Sequence, residues 1–341
     1  MLTTVKTMLG RYYADLQRSL NQTRYTNSGI ERFFDQSFEI QQNPHQMVVD
    51  HRLTGLQIEF NGNEVYVSHE LYHHGSVNIS NTMESGKAIA PITQYDYRVI
   101  PTIAYLACQN HTTIDIVAPL DAPIFMRFSS EFERFHSSVA TVNVINGAQV
   151  DIVEQVESRA ALCMMVNYSL SAGSTLHLNT LYECNMASTT LLGRKITADV
   201  GATVNQGVLS NGAAIISDET YISTTSGVSV NVEGCVFCKD SHYHSAVTIE
   251  PMHLDYSVDI NMRGVITGTG QFSHCPTVLR YAAPPGSTVS ATSMNTEGKN
   301  QDEIAQFTQD IIRNIATRME SDVFEQQKER ILAKGDRNAR T

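Results

Sequence analysis

The amino-acid sequence predicts a mainly β protein built as a β-solenoid. Between Val142 and Ile266, short stretches such as VNVI, QVDIV and SVDINM alternate apolar and polar residues with period two. Gly, Asn-Gly and Ser-Gly steps separate strands of about five residues, and Thr and Ser recur at alternate strand positions, as in stacked polar ladders. A two-sheet sandwich could be built from the same spacing. The solenoid is favoured because small residues mark corners and tight two-residue hairpins do not connect the strands throughout.

Residues 1–95 are predicted to form an N-terminal helix and a small β-unit. The stretch LTGLQIEFNGNEVYVS alternates in polarity, and Asn61-Gly62 is typical of a hairpin turn within it. Before it, apolar residues recur every three or four positions, which is the spacing of one helix face. The residues of this face are Leu2, Val5, Leu9, Tyr12, Leu16 and Leu20.

Residues 96–285 are predicted to form the β-helix core. The strongly apolar run from Val99 to Phe128 is interpreted as buried strands that start the stack, with prolines at strand ends or edges. In the array that follows, the corners are predicted at Ala172-Gly173-Ser174, Ser210-Asn211-Gly212 and Ser226-Gly227.

Residues 286–341 are predicted to form a C-terminal helical segment. Asn300, with Glu303 three residues later, is typical of a capping box. An apolar stripe follows at helical spacing, so the segment either covers the β array or contacts another subunit. The residues of this stripe, which we take as candidate oligomer contacts, are Ile304, Phe307, Ile311, Ile315, Met319 and Val323.

Composition and charge restrict the function classes. With 341 residues, of which 42% are hydrophobic and 17% charged, the chain can bury a large core. The formal net charge of -11 argues against a nucleic-acid-binding surface, because phosphate neutralisation needs clustered Lys and Arg. The sequence holds neither a long apolar run nor a secretory signal, so we expect no membrane partner and synthesis in the cytoplasm.

The sharpest local cluster of chemically active residues contains Cys235, Cys238, His242 and His244. Thiolate and imidazole ligands at such spacing could hold zinc or a soft transition metal, and these four residues are the candidate metal site. No second Cys-x-x-Cys completes the signature, and the competing interpretation is that these are buried free thiols and corner histidines. The sequence therefore predicts no cofactor.

The sequence also predicts no enzymatic activity. Glycan cleavage on a solenoid needs paired carboxylates in an exposed groove, and aromatic platforms favour sugar binding. The chain has no Trp and no defined carboxylate pair. The available acidic residues are Asp218, Glu219, Glu250, Asp255 and Asp259.

The order of elements resembles the SufB/SufD family of iron-sulfur assembly proteins over most of the chain. Arg24-Tyr25-Thr26 is similar to an Arg-Tyr-Thr stretch near the start of SufD-like chains, and Asn61-Gly62 falls where that family has Asn-Gly after an apolar strand. Ser273-His274 with Thr277-Val278 resembles the family's Cys-Ser-His-Gly-Ala-Thr-Val motif. The resemblance implies a right-handed parallel β-helix whose subunits pair through their helices.

The same motif departs from the family pattern, and this guides the functional hypothesis. Phe272 stands where the motif has its first Cys, and Cys275-Pro276 replaces Gly-Ala. We therefore predict a non-enzymatic structural subunit of a bacteriophage virion, synthesised in the host cytoplasm, whose partners are copies of itself and other structural subunits. The alternatives are an iron-sulfur assembly scaffold of the SufB/SufD kind and a glycan-binding or glycan-cleaving spike.

Overall fold

The computed structural model is a β-solenoid of about six turns. It describes residues 3–4, 6–7, 31–40, 49–51, 53–61, 64–68, 75–81, 99–108, 110–211, 215–279 and 284–316. The predicted N-terminal helix falls largely outside these ranges. The described helices are α1 (Glu31–Phe34), α2 (Val99–Ala107) and α3 (Gln301–Ala316).

The described residues form nineteen strands, which make up the solenoid and its N-terminal extension. They are β1 (Thr3–Thr4), β2 (Ser37–Ile40), β3 (Leu56–Asn61), β4 (Glu64–Val67), β5 (Val77–Asn81), β6 (Asn110–Ile116), β7 (Ile124–Ser130), β8 (Arg134–Val144), β9 (Gln149–Ser158), β10 (Ala161–Leu170), β11 (Thr175–Tyr182), β12 (Thr189–Ala198), β13 (Thr203–Asn211), β14 (Ile215–Thr224), β15 (Val228–Lys239), β16 (His242–Pro251), β17 (Tyr256–Thr267), β18 (Gln271–Val278) and β19 (Thr288–Asn295).

The chain alternates between two sheets as it winds. In the first sheet, β8, β10, β12, β14, β16 and β18 follow one another in parallel. The second sheet has the order β19-β17-β15-β13-β11-β9-β7-β3-β4. On the strands from β3 to β18, one set of alternate residues faces the space between the sheets and forms the main core, as the period-two pattern predicts.

One corner of the solenoid is a ladder of glycines. Gly147, Gly173, Gly201 and Gly227 all have φ between 68° and 70°, a region that favours glycine. Their amides link successive turns, since Gly173 N–H donates to the Val200 carbonyl at 2.9 Å and Gly201 N–H donates to the Ser226 carbonyl at 3.0 Å. The predicted corners at Gly173 and Gly227 are therefore confirmed.

The prediction of strands from Val99 onward is wrong for its first part. Val99–Ala107 is helix α2, which packs on the outer face of the first sheet in a second apolar cluster with β8, β10 and β12. Gly193 makes this close approach possible, because a Cβ there would lie 3.1 Å from Ile100 Cγ2. An unbroken apolar run does not distinguish a buried strand from a helix that is covered on most sides.

The small β-unit belongs to the solenoid itself. Strand β3 pairs in parallel with β7 and antiparallel with β4, so the predicted hairpin is confirmed and it extends the second sheet. At the other end, β19 pairs in parallel with β17, so the second sheet continues beyond residue 285. Helix α3 then starts with the predicted capping box, in which Glu303 N–H donates to Asn300 Oδ1 at 2.9 Å and Asn300 N–H donates to Glu303 Oε2 at 3.1 Å.

The two ends of the solenoid differ. At the N-terminal end, the sheets finish on short strands that lie antiparallel to their neighbours, since β1 pairs with β2, β5 with β6, and β4 with β3. At the C-terminal end, the sheets finish on the parallel strands β18 and β19, and no described strand pairs with their outer edges. Residues of both strands are largely half-buried or exposed. We call this the open end.

Candidate functional site

The most densely connected polar site lies inside the solenoid. We define the interior polar cluster as Glu154, Tyr168, Thr180, Tyr182, Arg194, Asp218, Thr220 and Tyr243. Each of these residues occupies a core-facing position: the three tyrosines belong to the main core themselves, and each of the other five residues has an apolar core residue two positions away on the same strand. Glu154 lies between Ile152 and Val156 in this way, and Arg194 lies between Leu192 and Ile196.

Arg194 is the centre of this cluster and is fully used as a donor. Its Nε and Nη2 donate to Glu154 Oε2 at 2.9 and 2.7 Å, and Nη2 also donates to Thr180 Oγ1 at 2.7 Å. Its Nη1 donates to Asp218 Oδ1 and to Thr220 Oγ1. A guanidinium group has five N–H donors, so all five have acceptors.

Tyrosine hydroxyls complete the coordination of the two carboxylates. Tyr168 donates to Glu154 Oε1 at 2.7 Å, and Thr180 donates to Glu154 Oε2 at 2.8 Å. Tyr182 and Tyr243 donate to Asp218 Oδ2 at 2.8 and 3.2 Å. Every carboxylate oxygen of the cluster therefore accepts a hydrogen bond, as buried charges require.

Burial controls the ionisation of these groups. Desolvation raises the pKa of the Tyr168 and Tyr182 hydroxyls well above the ordinary value, and the neighbouring carboxylates, Glu154 and Asp218 respectively, raise them further. Burial opposes the charge of Arg194, yet Asp218 and Glu154 together raise the pKa of its guanidinium well above the ordinary value. The tyrosines are therefore fixed donors and Arg194 is a fixed cation at every physiological pH.

The cluster connects the two sheets and does not form an accessible pocket. Arg194 and Asp218 belong to the first sheet, whereas Glu154 and Thr180 belong to the second. The Arg194 side chain has no solvent exposure and that of Asp218 is 4% exposed. Since a substrate cannot reach these groups, their chemistry supports structural cross-linking of the solenoid.

The four candidate metal ligands lie on different faces of the solenoid. Cys238 belongs to the main core, and Cys235, three residues away on β15, faces the opposite side of the same sheet. His242 and His244 flank the core residue Tyr243 on β16 of the other sheet, so both point outward. In the described part of the chain, no three His, Cys, Asp or Glu residues are placed to hold a metal ion.

The Cys235 and Cys238 thiols are also poorly suited to ionise. Burial raises the pKa of each to about 12. A thiolate is the form that binds metal or attacks an electrophile, so both groups remain protonated thiols. The six cysteines are all free in the structure.

The residues that resemble the SufB/SufD motif, Ser273-His274 and Thr277-Val278, lie on β18 at the open end. Phe272, His274 and Val278 share the core-facing phase of β18, and the ring of Phe272 stacks on that of Tyr243 with centroids 6.3 Å apart. Neither ring nitrogen of His274 has a hydrogen-bond partner. Burial, with a further contribution from His244, lowers the pKa of His274 to about 4, so this imidazole is neutral near pH 7.

The apolar stripe of helix α3 is partly used within the chain. Ile304 is buried, and the Phe307 ring lies 5.5 Å from the guanidinium carbon of Arg263 on β17. Arg263 also donates to the Phe307 carbonyl. Ile311 and Ile315 belong to helix α3, whereas Met319 and Val323 fall outside the described residues. The described part of the stripe therefore contacts the outer face of the second sheet.

Sequence reasoning missed the interior polar cluster, although the signal was present. Glu154, Arg194 and Asp218 each replace an apolar residue in the core-facing phase of an alternating strand. Of these three, the sequence analysis named only Asp218, as one of the acidic residues available for a carboxylate pair, and the structure buries Asp218 against Arg194. Glu219, next to it, faces away from the core.

Two further findings bear on function. Among the helices that the structure describes, none has both the length and the apolar character of a membrane span. Neither the models of known protein families nor the curated protein sequences match this chain.

Proposed function

We propose that this chain is a non-enzymatic structural subunit of a larger assembly, and that the assembly is a bacteriophage virion. The observation that carries this proposal is the open end, where β18 and β19 leave two main-chain edges without a partner among the described residues. Free strand edges are templates for pairing with another chain. A subunit whose two sheets finish on strands of eight residues is suited to assembly through that end, because the edge strands at its other end have only two to five residues.

The interior supports a scaffold role. Ladders of eight to twelve paired residues connect neighbouring turns, such as β10 with β12 and β15 with β17. The interior polar cluster adds charged hydrogen bonds between the two sheets. Such a body transmits force between subunits without a change of shape, which is what a virion component needs.

The assignment to a bacteriophage rests on the sequence. The residues that resemble the SufB/SufD motif are replaced at Phe272 and Cys275-Pro276, which favours a solenoid that has been adapted to another use. The net charge of -11 favours protein partners over nucleic acid. The partners we propose are copies of this chain and other structural subunits, in a capsid- or tail-associated position, after synthesis in the host cytoplasm.

We also propose the finer features of the fold. A right-handed winding is supported by the general rule that connections between parallel strands of one sheet are right-handed in about 98% of cases. Helical ends are supported by the amphipathic pattern that follows β1 within the first twenty residues and by the stripe that continues beyond Ala316.

Mass spectrometry of purified particles tests the virion assignment. The chain should be present at a fixed ratio to the major structural protein and should remain after a salt wash that removes loosely bound host proteins. Detection only in the soluble cell extract would end the proposal. The same preparation separates a structural subunit from a contaminant, because a contaminant varies in amount between preparations.

An iron-sulfur assembly scaffold is the second candidate, and one observation favours it. His274, in the stretch that resembles the SufB/SufD motif, lies at the open end with two ring nitrogens that lack hydrogen-bond partners. Iron-dependent absorbance after reconstitution, lost in a His274→Ala variant, together with co-purification of an ABC-type ATPase, would decide for it. No iron uptake by either protein would decide against it.

A further inference from the structure

The two strand edges of the open end are not equivalent. On β18, the N–H groups of Gln271 and Leu279 donate to carbonyls of Ser241 and Ile249, so odd-numbered residues face the neighbouring strand β16. Even-numbered residues therefore direct their N–H positions to the free edge, and Pro276 is one of them. Since proline has no N–H, Pro276 interrupts the row of donors, and proline is a known protection of edge strands.

The edge of β19 has no such protection. Thr296 N–H, just after the strand, donates to the Ile266 carbonyl at 2.9 Å, so even-numbered residues face β17. Val289, Ala291 and Ser293 direct their N–H groups to the free edge. The strand TVSATSMN contains neither proline nor a charged residue, and Val289 is 40% exposed although it lies in the core-facing phase. This edge can therefore form a continuous ladder with another strand.

We propose that β19 pairs antiparallel with β19 of a second copy of this chain, around a two-fold axis, so that the second sheet runs through both subunits. This inference rests on the proposed structural role and names the first contact of the assembly. The edge strands at the N-terminal end have two to five residues, against eight in β19, so head-to-tail pairing onto them would form a shorter ladder. An uncharged strand meets its own copy without repulsion, and an isologous contact forms a closed dimer and no fibre.

Sedimentation of the full-length chain over a range of concentrations, with proline and charge variants, tests the pairing. The wild-type chain should be a dimer. Ala291→Pro removes an N–H that faces the free edge and keeps the hydrogen bonds to β17, so it should give a folded monomer. Val289→Lys should also give a monomer, because it places an inward-pointing charge on the edge strand, and such a charge opposes pairing with another strand. Val200→Lys, at an exposed corner away from the open end, is the matched control and should remain dimeric.

Single cysteines at Ser290, Ala291, Thr292 and Ser293 then test the symmetry. Under mild oxidation, at least one of the four should form a disulfide with the same residue of the second copy, because only a two-fold axis places identical residues opposite each other. A wild-type chain that stays monomeric at all concentrations overturns the inference, and so does a dimer that Ala291→Pro leaves intact. If the chain is a monomer but is found in particles, the β19 pairing is wrong and the virion proposal stands. If the chain is a dimer but is absent from particles, the β19 pairing stands and the virion proposal is wrong.

Discussion

Replacing Arg194 by Met should strongly destabilise the fold. The substitution keeps a long unbranched side chain but removes all five donors from the interior polar cluster. Glu154 and Asp218 would then remain buried without a cation. Their tyrosine and threonine donors would still be present, so the change isolates the loss of the guanidinium group.

The expected loss follows from the burial of both partners. Side-chain exposures of 0% for Arg194 and Glu154 and 4% for Asp218 leave no solvent to compensate the carboxylates. Removing one partner of a buried ion pair costs about 3–5 kcal/mol. For a chain of this size, such a loss of unfolding free energy lowers the melting temperature by roughly 5–10 °C.

Thermal and urea unfolding, followed by circular dichroism, measure this loss. Arg127→Met is the matched control, because Arg127 forms an ion pair with Glu157 on the same solenoid with side chains 35% and 28% exposed. Exposed pairs of this kind contribute about 0–1 kcal/mol. If Arg194→Met and Arg127→Met lower the melting temperature equally, the cluster does not stabilise the fold as we infer. A triple variant that also carries Glu154→Gln and Asp218→Asn should recover part of the loss, since no uncompensated charge remains.

Three further predictions concern single groups. Tyr182→Phe should lower the free energy of unfolding by about 1–3 kcal/mol, because Asp218 loses a hydrogen bond from a buried hydroxyl; chemical denaturation measures this, and an unchanged stability would contradict it. Cys235 and Cys238 should not react with a thiol reagent at about pH 8 in the folded protein, because a pKa of about 12 keeps both thiols protonated. Both should react after unfolding, which restores ordinary thiol pKa values. Fast labelling of the folded chain at either position would refute this. Gly193→Ala should destabilise the packing of α2 by about 1–3 kcal/mol, since the new Cβ would lie 2.9 Å from Met165 Sδ and 3.1 Å from Ile100 Cγ2. Equal rates of hydrogen exchange in α2 of the wild-type and variant proteins would contradict this reasoning.

The sequence was informative about the fold wherever local chemistry determines local structure. The period-two alternation identified the strands, the glycine steps identified the corners, and Asn300 with Glu303 identified the start of α3. The apolar run at Val99–Ala107 was misleading. Helix α2 packs on the first sheet and has few polar positions that would reveal a helical period. Parallel stacking with neighbours 26–29 residues apart depends on contacts that no local pattern contains.

The candidate site was harder to predict for a related reason. Glu154 and Asp218 are 64 positions apart in the sequence. Both reach Arg194 only after the turns have stacked in the correct register. A charged residue at a position where the alternation predicts an apolar one could indicate either that the strand twists and turns this position outward or that the charge has a buried partner. Likewise, Cys-x-x-Cys indicated a metal only if a turn brought the sulfurs together, and on a continuous strand the two residues face opposite sides.

The interior polar cluster specifies the register of the turns in a way that the apolar pattern cannot. A slip of one residue would turn every apolar side chain outward, so alternation alone excludes it. A slip of two residues keeps the alternation and moves a strand by only about 6.6 Å, so it costs the apolar core little. The same slip of β12 would carry Arg194 away from both Glu154 and Asp218 and would leave three charges buried without an opposite charge. Since such charges are among the most expensive defects in a core, the cluster selects one register among those that hydrophobicity permits. The edge of β19, which pairs with no other described strand on its outer side, can template a neighbour in one alignment only if the turns beneath it are themselves in register. This requirement connects the buried cluster to the assembly that we propose at the open end.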